Sequence, residues 1–107
     1  MSRIINISSK LDSTKPRIQI GESLYEVNDS LETMVKLEEL MTTLGNLSSM
    51  ELAIEIAIGK KAVKEINVKG YSFKNYKVLV AGIMAAIQDT DDLDSILSRF
   101  PDESPKV

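Results

Sequence analysis

Apolar positions along the chain change period near residue 28. Before it, Arg17-Ile18-Gln19-Ile20 alternates with a period of two, and Leu24-Tyr25-Glu26-Val27 is similarly strand-forming. Gly21-Glu22-Ser23 separates these segments and supplies a tight reversal, so the pattern predicts a short β-hairpin. Two strands alone are marginal in water, and the hairpin must therefore lie against a helix or pair with another chain. Residues 1–15 are polar and irregular apart from Ile4, Ile5, Ile7 and Leu11, and read as an extended arm.

After residue 28 the spacing becomes helical. Asp29-Ser30-Leu31-Glu32 reads as a capping box with Asp29 as N-cap. Leu31, Met34, Val35, Leu37, Leu40, Met41 and Leu44 follow at spacings of mostly three and four, and Gly45 is expected to end the helix in a left-handed conformation. Ser48-Ser49-Met50-Glu51 reads as a second capping box, opening a helix that Gly59 interrupts. A more charged segment continues through Lys60 to Lys69 and closes at Gly70. Ser72 is expected to cap a helix over 73–88, and Thr90-Asp91-Asp92 to start a last short one with Leu93, Ile96, Leu97 and Phe100 on one face. Pro101 stops it, and 101–107 reads as a flexible polar tail. The expected fold is α+β and mainly helical: one domain over 16–100, about four helices and an N-terminal hairpin.

Two of these helices carry the functional question. Met50 to Ile58 and Val78 to Ile87 are apolar nearly all round. Such helices are either central in a core or covered by something else. They can pack on each other and on the helix over 30–44, or one face can stay open for a partner or a second copy. The candidate partner-binding positions are Met50, Ile54, Ile58, Tyr76, Val80, Met84 and Ile87.

Composition narrows the chemistry. With 107 residues, 43% hydrophobic and 27% charged, the chain is globular and long enough for one domain. Aromatic content is only 5% with no Trp, so the core is built from aliphatic residues, Met and Ala. The absence of Cys removes disulfides and thiol chemistry, and the absence of His removes the commonest general base and transition-metal ligand. A net charge of −3 argues against nucleic acid as the partner. The longest apolar run, Val78 to Ile87, is half the roughly 20 residues of a membrane span, and residues 1–9 lack the apolar stretch of a signal peptide. These features predict a soluble, intracellular protein with no membrane partner.

Each local cluster has a structural explanation. Asp89, Asp91, Asp92 and Asp94 lack the Gly and terminal Glu of an EF-hand and suit a helix start. Lys60, Lys61, Lys64, Lys69, Lys74 and Lys77 form a basic stretch that reads as a solvated face or as an orienting charge between subunits. Gly59-Lys60-Lys61 lacks the other elements of a P-loop. Asp29-Ser30-Leu31 resembles the phosphopantetheine attachment site of acyl carrier proteins, yet a hairpin stands where those carriers have a long first helix, and capping accounts for the triplet. Glu38 and Glu39 meet no acid or nucleophile, and no base supports the Ser and Thr residues. The chain is expected to be no enzyme, with no catalytic residue, cofactor or metal.

The order of features carries a further reading. A hairpin with Ile18, Ile20, Gly21, Tyr25 and Val27 runs into a helix beginning near Asn28 to Ser30. Ala57-Ile58-Gly59-Lys60-Lys61-Ala62-Val63 follows, then Tyr71 to Tyr76 leading into Ile83-Met84-Ala85-Ala86-Ile87. Over residues 16–88 this layout resembles the tail assembly chaperones of siphophages and prophages of Gram-positive bacteria. The resemblance implies a protein that coats the long helical tape measure protein, keeps it soluble and helps recruit tail tube subunits. It also implies self-association, a place in the host cytoplasm rather than the mature virion, and in many members a frameshifted longer form. The family supplies no catalytic residues. Met34, Met41, Met50 and Met84 suit such a role, because a flexible thioether adapts to irregular partners, and they equally suit core filling. The alternatives are a carrier modified at Ser30 and a small antitoxin-like adaptor.

Overall fold

A computed structural model describes residues 3–42 and 47–100. Arg17–Ile20 (β1) and Ser23–Glu26 (β2) pair antiparallel, with Ile18 opposite Tyr25 and Ile20 opposite Ser23. The reversal takes two residues instead of the expected three. Gly21 adopts φ +62°, the positive value that the first central position of a type II′ turn demands, and Ser23 joins the strand. The Val27 N–H donates to the Pro16 carbonyl at 2.8 Å and prolongs the pairing. Val27 itself is buried and ties the hairpin to the core. The arm before β1 has one short 3-10 turn, Ser8–Lys10, and no buried residue.

Helix α1 spans Leu31–Thr42. Its N-cap is Ser30 and not Asp29: the Ser30 Oγ accepts the Thr33 N–H at 3.3 Å. The shift originates at Asn28. Its N–H donates to the Ala57 carbonyl at 2.7 Å, and its side-chain oxygen accepts the Ser30 N–H at 3.1 Å. The chain therefore turns one residue later than expected, and Glu32 falls too early to close a capping box. The expected end at Leu44 and Gly45 lies outside the described residues.

Helix α2 spans Leu47–Ile58. Leu47 is already helical, so Ser48 lies inside the helix and cannot be its N-cap. At the other end Gly59 takes φ 92° and ψ 157°, a conformation essentially confined to glycine, and breaks the helix as expected. Helix α3, Lys60–Ile66, ends at Asn67 in the left-handed region (φ 54°) rather than running to Lys69. Val68–Gly70 forms a 3-10 turn.

Helix α4 covers Phe73–Gln88 with the bounds that the pattern predicts. The Ser72 Oγ accepts the Asn75 N–H at 3.1 Å, and Asp89 closes the helix at φ 56°. Helix α5, Leu93–Leu97, is capped by Asp92, which accepts the Ser95 N–H at 3.1 Å. The tail expected over 101–107 lies outside the described residues.

Helix α4 is the centre of the assembly. It contributes Tyr76, Leu79, Val80, Ala81, Ile83, Met84 and Ala85 to the core and packs against α1, α5 and β1. Leu37 and Met41 of α1 and Ile54 of α2 are fully buried with it. The result is a small α+β domain, mainly helical, with its hairpin at the N-terminal side.

Candidate functional site

The core claims most of the positions that the sequence singles out for partner binding. Ile54, Val80 and Met84 are fully inaccessible, and Tyr76 is 4% exposed. Met50, Ile58 and Ile87 are half-buried and pack against that core. The reason is geometric: α4 has neighbours on three sides, so an all-round apolar helix is satisfied within one chain. In this conformation those four buried side chains offer no surface.

Exposed apolar surface lies elsewhere on the helical body. The buried stripe of α1 is Thr33, Leu37, Leu40 and Met41. Leu31 and Val35 sit one turn apart off that stripe and are 80% and 50% exposed. Across from α1, Leu52 of α2 is 55% exposed. Between the two helices runs a groove of about 410 Å³. Leu40, Leu52, Ala53 and Ile56 form its apolar lining, and Lys36, Glu39, Thr42 and Ser49 its polar margin. Ser49, Leu52 and Ile56 recur at spacings of three and four, which aligns them along α2. The sequence signal for this surface was the excess of apolar residues on α1 beyond one stripe.

Tyr76 donates its hydroxyl to the Met50 carbonyl at 3.0 Å, and burial raises its phenol above the ordinary range. Asp89 and Asp92 act at helix ends, and among the described residues no group of three acidic, His or Cys side chains is placed to hold a metal ion. Lys60, Lys61, Lys64, Lys69 and Lys74 are exposed, while the Lys77 amine lies 5.1 Å from the centre of the Phe73 ring. Lys69 approaches Glu51 at 3.8 Å. Ser30 is exposed, but its hydroxyl caps α1 and sits 3.1 Å from the Thr33 hydroxyl. No described helix is long and apolar enough to cross a membrane.

What fold and site define together is a small α+β domain with an open apolar groove between two helices. Comparison with family models, with curated proteins and with solved structures returns no match.

Proposed function

We propose that this chain is a tail assembly chaperone that binds the tape measure protein of its phage and holds it soluble, self-associating as it does so and helping to recruit tail tube subunits. The observation that supports this most directly is the α1–α2 groove with Leu52 exposed in its lining, together with Leu31 and Val35 exposed elsewhere on α1. A groove between two helices, with an apolar floor and a charged margin, suits the apolar face of an amphipathic client helix. Lys36 and Glu39 offer both signs of charge at the margin, which fits a client with mixed charges on its polar face. The tape measure protein is proposed as the client on the resemblance to that family in the order of hairpin and helices over residues 16–88.

Co-expression with the tape measure gene of the same cluster tests the reading. Wild-type chain should keep the tape measure protein in the soluble fraction. The double substitution Val35→Lys and Leu52→Lys changes only exposed positions, and should abolish that protection while leaving the helical circular dichroism spectrum intact. A tape measure protein equally insoluble with and without the wild-type chain overturns the proposal.

A further inference from the structure

The arm before β1 exposes a row of large apolar side chains that its own body does not cover. Ile4, Ile5, Ile7 and Leu11 are 89%, 71%, 57% and 70% exposed. The same molecule has a second apolar groove, distinct in its lining from the α1–α2 site. It runs between β1 and α4, measures about 370 Å³, and is lined by Ile18, Ile20, Val78, Leu79, Gly82 and Leu93, among others. Val78 and Leu93 remain 44% and 37% exposed there.

Three features say what fills it. The first is the backbone of β1. Ile18 and Ile20 bond across to Tyr25 and Ser23, and the alternation of an antiparallel ladder then turns the peptide groups of Arg17 and Gln19 outward. The sheet has only two strands, so this edge of β1 is open to a third. The second is Gly82. A glycine inside a helix costs about 1 kcal/mol relative to alanine. A Cβ built at Gly82 would meet nothing within 4 Å, so packing within the chain gives no reason for it. A backbone seated in the groove gives one, because glycine lets another chain approach the helix closely. The third is charge. The arm carries Arg3, Lys10 and Lys15 against the lone Asp12, a net +2. The groove ends at Leu93, within the segment that holds Asp89, Asp91, Asp92 and Asp94.

The dimensions agree. Asn75 to Gly82 extends about 10 Å along α4 at 1.5 Å per residue. Three to four extended residues cover that length at about 3.3 Å each, and Ile4-Ile5-Asn6-Ile7 is a strand-forming segment of that size.

We infer that the arm of one copy docks in the β1–α4 groove of a second copy, adding a strand to the open edge of β1 and seating its isoleucines over Gly82. This deepens the self-association named in the proposed function and is independent of the client groove. Light scattering during size-exclusion chromatography tests it on the full chain. Wild type should run above the monomer mass, and more so at low salt than at high salt, because the contact between arm and acidic segment is screened. Removing residues 3–11 should give a monomer that keeps the helical circular dichroism spectrum, since none of those residues is buried. Gly82→Leu should also give a monomer with the helical spectrum retained, because it fills the groove with a good helix former and a Cβ at this position meets nothing within 4 Å. A wild-type monomer at every concentration overturns the inference, and so does an arm-deleted chain that still associates. Failure here leaves client solubilisation by Val35 and Leu52 untouched, so the two readings are separable.

Discussion

Tyr76 illustrates how single residues set the stability of this chain. Its phenol enters the core and donates to the Met50 carbonyl at 3.0 Å. Burial raises its pKa above the ordinary value of 10.0, so the fold favours the neutral form. The raised pKa contributes stability that is fully present below pH 10 and is lost as pH rises beyond it. Tyr76→Phe should therefore cost about 1 kcal/mol at neutral pH through the lost hydrogen bond, and should flatten the alkaline loss of stability, as read from urea unfolding across pH. A variant with the wild-type alkaline slope contradicts the assignment. Ser30 makes a second case. Ser30→Ala removes the α1 cap and should cost about 1 kcal/mol. Ser30 also decides the carrier alternative: the client-binding reading predicts an intact mass unchanged after incubation with a phosphopantetheinyl transferase and coenzyme A, and a gain of one phosphopantetheine would support a carrier instead.

At the level of elements, the parts legible in the sequence were those fixed by local chemistry. Ser72 and the 3–4 spacing after it defined α4 to the residue, because cap and pattern agreed. Gly59 marked the α2–α3 break, because no other residue takes its backbone conformation without strain. Gly59→Ala should lower stability by about 1–3 kcal/mol, measured by denaturant unfolding. The misplaced ends depend on contacts that spacing does not show. Asn28 is held by the Ala57 carbonyl, 29 residues away in sequence, and that bond moves the α1 cap from Asp29 to Ser30. The same limit applies to the site. An apolar helix reads identically whether its neighbours are in the chain or outside it. Only the placement of α1, α5 and β1 around α4 assigns Val80 and Met84 to the core, and that of α1 and α3 against α2 assigns Ile54 to it, while Leu31, Val35 and Leu52 stay outside.

Among the described residues of the whole molecule, the core and the proposed client groove share only Leu40 and Ala53. Ile54→Ala or Met84→Ala removes a fully buried side chain and should cost about 2–5 kcal/mol by urea unfolding. Leu52→Ala lies on the open groove and should cost less than about 1 kcal/mol, while weakening client binding. Surface ion pairs contribute little to this balance. Even the Arg99–Glu38 contact at 2.6 Å, which links the end of α5 to α1, joins two partly exposed side chains. Stability thus rests on the aliphatic core around α4, and Leu31, Val35 and Leu52 lie outside that core. The most direct test is to map client contact by methyl NMR, titrating overlapping helical segments of a tape measure protein, the proposed client. Shifts should concentrate on Leu52 and Ile56 of the groove lining and leave the Ile54 and Val80 methyls in place. No shifts with any segment, or shifts centred on those core methyls, would contradict an open α1–α2 groove as the client site.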